Sequence, residues 1–279
     1  MTAWPCECRL LPSTRRGIPA FLSMPSRVRK AFFRSLLRID KSLRVFVFIS
    51  NGEKAEEPGG MRINMNRIVV LASGGLDSSV LVADQARNAD VFPVYVQWGL
   101  LWEATEREAL KSFLAALNNP GVMPLTILSL PIGPMYGEHW SLTGRGVPGL
   151  GEPDSAVFLP GRNILLIGLA AVWCSTHDVS RIAIGSLGGN PFPDATPEFF
   201  RDFTRILSAG LGHHLQVEAP YRDLHKSEII KRFSDLPLEL TLTCMTPKGG
   251  KHCGRCNKCG ERRLAFQQAG VADRTVYLL

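Results

Sequence analysis

From about residue 67 onward, the apolar positions follow two alternating rhythms. Short runs rich in β-branched residues, of which Ile68-Val69-Val70-Leu71-Ala72 is the clearest, read as strands buried on both faces. Between them lie longer stretches with apolar residues at helical spacing. The pattern predicts strands over 68–72, 91–97, 125–130, 181–185 and 215–218. It predicts helices over 77–87, 103–117, 163–176, 197–209, 226–233 and 257–269. Strand–helix alternation of this kind implies an α/β fold, with a parallel sheet covered on both faces by crossover helices. Longer connections fall at 131–163 and 185–197. The first is rich in glycine and proline (Gly144, Gly146, Pro148, Gly149, Gly151, Pro153) and reads either as a mobile lid or as an ordinary variable loop.

The first 60 residues do not share this rhythm. They hold 11 Lys and Arg against 5 Asp and Glu, whereas the rest of the chain holds 21 against 20. The overall charge of +7 is therefore mostly a property of this segment, and the nearly neutral body is not marked as a nucleic-acid binder. Three readings of 1–60 stand side by side: a start codon assigned upstream of Met61 or Met65, a basic extension with a helix and short strand over 28–48, or a targeting peptide. The expected organisation is this extension over 1–60, a nucleotide-binding domain over 61–240 and a metal-binding segment over 241–279. No apolar run reaches the roughly 18–20 residues of a bilayer-spanning helix.

Chemistry enters at Ser73-Gly74-Gly75-Leu76-Asp77-Ser78-Ser79, between the first strand and the first helix. Backbone N–H groups and a helix N-terminus converge on an anion in such a turn. Adjacent glycines allow close backbone approach, and Ser73, Ser78 and Ser79 add hydroxyls. No Gly-Lys-Ser/Thr follows, so the loop is neither a Walker P-loop nor a dinucleotide G-x-G-x-x-G. A second cluster, Cys244, Cys253, Cys256 and Cys259, has the spacing C-x8-C-x2-C-x2-C. Four thiolates so placed suit a closed tetrahedral zinc site of structural type. Thiolates alone leave an iron–sulfur cluster open, and His252 lies within reach as a substitute ligand. Lys248, Lys251, Arg255, Lys258, Arg262 and Arg263 would offset the thiolate charge. Cys174, in an apolar stretch, reads as a small buried hydrophobe. This cysteine usage does not fit a secreted disulfide framework, and a cytoplasmic location is expected.

The motif Ser-Gly-Gly-x-Asp-Ser resembles the signature of the PP-loop ATP pyrophosphatases. The resemblance implies an adenine nucleotide alpha-hydrolase-like, Rossmann-like fold. It also implies a loop holding the β,γ-pyrophosphate of ATP, with Asp77 helping to hold magnesium. Together with Leu159-Pro160-Gly161-Arg162-Asn163, Lys226-Ser227-Glu228-Ile229-Ile230 and the cysteine segment, the loop makes the chain similar to the 7-cyano-7-deazaguanine synthases. That resemblance implies a ligase that adenylylates 7-carboxy-7-deazaguanine and converts it with ammonia to the nitrile. Its cofactors would be ATP, magnesium and zinc, with no nucleic-acid or membrane partner; a homodimer is implied by the family alone. Arg162 and Asn163 would face nucleotide or substrate, and Lys226 would contact phosphate. Read from the residues alone, Arg162 also fits a surface arginine at a helix start, and Lys226 a helix-surface lysine.

Two segments depart from the family pattern. Gln97-Trp98-Gly99-Leu100-Leu101-Trp102 stands where Asp-Tyr-Gly-Gln-Arg-His is common, and in Gly188–Thr196 the family's Cys-Arg pair is missing although Pro193 and Asp194 remain. Trp98, Trp102 and Phe192 fit either stacking on a flat heterocycle or core packing. The competing functions are a paralogous ligase for another carboxylate or amine, a tRNA-thiolating PP-loop protein, and a nucleotide-binding module without catalysis.

Overall fold

The computed structural model describes residues 66–278. The expectations for 1–60 lie outside them. Five strands form one sheet: β1 (Arg67–Leu71), β2 (Asp90–Gln97), β3 (Thr126–Ser129), β4 (Arg181–Ala183) and β5 (Gln216–Glu218). Their order is β3-β2-β1-β4-β5 and every pairing is parallel. The β-branched runs became strands within a residue or two of the expected bounds.

The helices are α1 (Leu76–Gln85), α2 (Glu103–Leu117), α3 (Gly133–Tyr136), α4 (Trp140–Thr143), α5 (Arg162–His177), α6 (Pro197–Leu211), α7 (Lys226–Arg232) and α8 (Asn257–Ala269). The pleat of β1 divides the core. Ile68 and Val70 face one cluster with Leu76, Leu110, Ile229 and Phe266. Val69 and Leu71 face another with Ile167, Ala170, Ile182 and Phe200. Cys174 lies fully buried in this second cluster, as its apolar neighbours imply, and burial pushes its thiol up to about 12.

The connection at 131–163, open between a mobile lid and an ordinary variable loop, carries structure of its own. It holds α3, α4 and a 3-10 turn at Asp154–Val157. It is also stitched to the cysteine segment: Asn257 N donates to Pro148 O at 3.0 Å, and Asn257 Nδ2 to Glu152 O at 2.6 Å. Strand order reverses between β1 and β4, and both strands end beside the same crevice, where ligands bind in open α/β sheets. No helix among the described residues is long and apolar enough to cross a membrane.

Candidate active site

The glycine-serine loop leaves β1 at that crevice and is held by its own serines. Ser78 Oγ accepts Ser73 N–H at 3.1 Å, and Ser73 Oγ accepts Gly75 N–H at 3.2 Å. Leu242 N donates to Gly74 O at 2.9 Å and ties the loop to the segment leading into the cysteines. The first amides of α1 then point outward without intrahelical acceptors, as at any helix start. Gly74 has φ +82°, and a Cβ there would meet Glu106 O at 2.5 Å. Only glycine lets the cradle lie this close to α2.

A cavity of about 730 Å³ opens from the loop. Ser73, Gly75, Leu76, Asp77, Ser78, Arg162, Asn163, Lys226 and Cys244 line it. Gly74 and Ser79 do not. Ser79 is rotated one helical step into the core, is fully buried, and its Oγ has no partner, so its hydroxyl is not among the cradle donors. Asn163 spends its amide on Asp194: its Nδ2 donates to Asp194 O at 2.9 Å. It orders the site wall rather than presenting a free amide.

Of the two readings of Lys226, the exposed helix-surface lysine does not hold, because the residue lines the cavity beside the loop. Its side chain is 12 % exposed, with Nζ 3.3 Å from Asp77 Oδ2 and ion-paired to Glu261. A capping box, in which His225 N donates to Glu228 Oε2 at 2.7 Å, starts α7 and sets Lys226 in this position. Burial opposes the Lys226 charge, but Asp77 and Glu261 outweigh it and hold the ammonium well above the usual lysine range. Burial would likewise raise Glu261, yet Lys226 and Lys258 bring it down to about 2. For Asp77 burial wins and the carboxyl is raised. Asp77 Oδ1 is buried without a protein partner. An orphaned acidic oxygen beside an anion cradle fits a divalent cation, the magnesium expected there.

The cavity's other end is apolar and aromatic. Trp102 stacks on Trp140 with centroids 5.8 Å apart, and Phe192 on Phe158 at 4.9 Å. Trp102, Trp140 and Phe192 line the cavity. Trp98 also borders it but is 3 % exposed and packs with Val96 and Ile132. Among these aromatics Glu106 was not foreseen. Tyr95 OH donates to its Oε2 at 3.0 Å, and burial raises the carboxyl to about 8 despite Arg162, Tyr95 and Trp102 nearby. Its signal is faint: an acid on the inner face of α2, one turn before the buried Leu110.

The four cysteine sulfurs lie within 4.8 Å of one another. A tetrahedron with metal–sulfur bonds of about 2.3 Å has edges near 3.8 Å, so the set fits zinc. Amides of Thr246 and Cys253 donate to Cys244 Sγ at 3.3 and 3.1 Å, which suits a thiolate. The sulfurs' hydrogen bonds to one another push Cys256 down and Cys259 up. His252 does not replace a cysteine, since the four sulfurs make a complete set and its Nε2 accepts Thr243 N–H at 3.1 Å. Arg262 does not simply screen thiolates either. It is fully buried and donates to Thr275 Oγ1, Thr241 Oγ1 and Leu238 O at 2.9, 2.9 and 2.7 Å.

A parallel α/β sheet with a glycine-serine loop at its switch point, beside four thiols able to hold a metal, is the frame of one class of α/β enzyme. The family described as "Queuosine biosynthesis protein QueC" matches residues 67–270. Relatives named 7-cyano-7-deazaguanine synthase include one from Methanocaldococcus jannaschii, 31% identical over 237 residues, covering 77% of this chain and 100% of that protein. Those from Methanopyrus kandleri (33% identical) and Pseudomonas fluorescens SBW25 (29%) cover the same shares. The chain belongs to this family, whose members are carbon–nitrogen ligases. A solved structure titled as a predicted tRNA methyltransferase subunit from M. jannaschii aligns at 14% identity over 61% of this chain and 74% of that one. Its TM-score of 0.40 is too low to bear on the fold.

Proposed function

We propose that this chain uses ATP to adenylylate the carboxylate of 7-carboxy-7-deazaguanine and joins it to ammonia, ending at the nitrile 7-cyano-7-deazaguanine. A carboxylate is a poor electrophile because its oxygen leaves badly. Attack of that oxygen on the α-phosphorus of ATP expels pyrophosphate and makes AMP the leaving group. Ammonia then displaces AMP to give the amide. A second adenylylation, on the amide oxygen, allows loss of AMP and protons to form the carbon–nitrogen triple bond. The chain's own residues position and stabilise. The α1 amides, Ser73 and Ser78 hold the departing pyrophosphate. Arg162 opposes the charge building on phosphate or carboxylate. Asp77 holds the magnesium that neutralises the phosphates. Cys244, Cys253, Cys256 and Cys259 hold zinc as a structural clamp. The supporting domain reading is a catalytic body over 61–240 with this clamp over 241–279.

One observation carries this reading. The cradle, Asp77, Lys226, Arg162 and an aromatic-walled end share one cavity, large enough for a nucleotide beside a flat heterocycle. The test is incubation with ATP, magnesium, ammonia and 7-carboxy-7-deazaguanine, followed by mass spectrometry. Amide, nitrile and AMP are expected. Folded, zinc-loaded protein that yields none of them refutes the reading. A paralogous ligase for another flat acid is favoured by one observation: Leu100, Trp102 and Phe192, all in the departing segments, line the same cavity. Turnover of a different aromatic acid, with none of the deazaguanine acid, would establish it.

A further inference from the structure

We propose that Glu261 is a positioning residue for the nucleotide-bound cation. Its carboxylate offsets the charge of Lys226, so that the group of three keeps the net negative charge that would draw magnesium to the free Asp77 Oδ1. The inference rests on the ATP reading above and goes beyond it to a residue outside the loop.

Three segments meet at one ammonium. Lys226 Nζ, at the start of α7, lies 3.3 Å from Asp77 Oδ2 on α1 and is ion-paired to Glu261 on α8. The other Glu261 oxygen lies 2.6 Å from Lys258 Nζ, one helical turn back on α8, and Lys258 reaches Asp154 at 3.5 Å. Lys258 itself stands between Cys256 and Cys259. Glu261 therefore joins the nucleotide loop to the thiolate cluster in two ion pairs.

The charge count shows what Glu261 contributes. Asp77 and Lys226 alone make a neutral pair, and an aspartate neutralised by an adjacent ammonium is a weak ligand for a dication. With Glu261 the triad carries a net charge of −1, and Lys226 is held between two carboxylates. Asp77 Oδ1, buried with no protein partner, is the oxygen left for a cation. A second role follows from position: α8 sets Glu261, and the cysteines set α8, so the clamp fixes a charge next to the site without touching substrate.

The test separates electrostatics from simple support. ATP affinity of the full chain is measured by calorimetry in magnesium and in EDTA, with zinc content followed by metal analysis. Glu261→Gln is expected to keep its zinc and to bind ATP in EDTA at least as tightly as the parent, because one negative charge near the triphosphate is gone. The magnesium-dependent gain should shrink on the order of tenfold, and Glu261→Asp should restore part of it. Parallel loss of both affinities means a merely structural role and overturns the inference; an unchanged magnesium gain overturns it too. Lys258→Gln gives the opposite sign, since it leaves the triad less neutralised, and it decides the matter should Glu261→Gln fail to fold. A magnesium gain above the parent's supports the inference, and one equal to or below it defeats it. Parent protein that binds no ATP in either buffer refutes the ATP reading itself, a result distinct from every variant outcome.

Discussion

Asp194 caps the helix that carries Arg162: its Oδ2 accepts the Asn163 N–H at 2.9 Å, across 31 residues of chain. The Asn163 side chain returns a bond to the Asp194 carbonyl at 2.9 Å. The pair fastens the β4–α6 connection to the first turn of α5, and Arg162 projects from that turn into the cavity. A carboxylate at a helix N-terminus satisfies an otherwise orphaned donor and suits the dipole. Asp194→Ala should therefore lower stability by about 1–2 kcal/mol in urea titrations, and should raise KM for the acid more than it lowers kcat. Asp194→Asn, which keeps an acceptor oxygen, should lose less. An unchanged urea midpoint for Asp194→Ala would reject the cap.

The two loop glycines should respond unequally to the same added methyl. At Gly74, alanine would face a positive φ and the Glu106 carbonyl at 2.5 Å. The left-handed backbone alone costs about 1–2 kcal/mol, and the clash moves the loop or α2. Gly75 has φ −68°, and its added Cβ would press on the Ser73 hydroxyl at 3.2 Å and make ordinary contact with Leu242 O at 3.7 Å. Gly74→Ala should be destabilised and lose nucleotide binding, while Gly75→Ala should fold almost normally. Equal thermal midpoints for the two variants would contradict this account of the cradle.

Glu106 makes stability depend on pH in a stated direction. Burial raises its carboxyl from 4.5 to about 8. Below the unfolded value the group is neutral in both states, and its contribution is fully present. Between the two values the unfolded chain ionises and the native protein does not, so stability falls as pH rises, by about 1.4 kcal/mol per unit at most. Glu106→Gln removes this loss. Relative to the parent, the variant should gain stability between pH about 5 and pH about 9, read as the difference in urea midpoints. A difference that stays flat, or falls, would show that Glu106 is ionised in the native protein.

Legibility in the sequence followed the range of the interactions. The strand Arg67–Leu71, its turn and α1 are contiguous, and β-branched residues followed by glycines and a helix start express local preferences directly. The cysteines were legible because thiol spacing is itself the ligand set. Lys226, Glu261 and Glu106 were not legible, because each owes its role to a partner brought from elsewhere. Lys226 and Glu261 are 35 residues apart, Tyr95 and Glu106 are 11 apart on different elements. An isolated lysine at a helix start looks the same whether it faces water or two carboxylates. The glycine-rich stretch at 144–153 left two readings open for a related reason. Glycine permits mobility but equally permits the positive φ at Gly144, Gly146 and Gly151, by which this segment turns tightly against the cysteine region.

Removal of metal should loosen more than the cysteines. Between Cys256 and Cys259, Asn257 holds Pro148 and Glu152, and Lys258 holds Asp154. Beyond them, Ala265 and Phe266 of α8 pack into the core beside β1. Four thiolates brought this close repel one another unless a cation lies among them. Stripping with a strong chelator, or Cys256→Ser, should therefore release the 144–154 segment and weaken α8 docking together. A loss of about 4 kcal/mol would lower Tm by on the order of 10 °C in a domain of this size. Limited proteolysis should show new cleavage within 144–154 at temperatures where the metal-loaded protein resists. Zinc-free protein with an unaltered Tm and protease pattern would mean that the hydrogen bonds of Asn257, rather than the metal, hold the segment down.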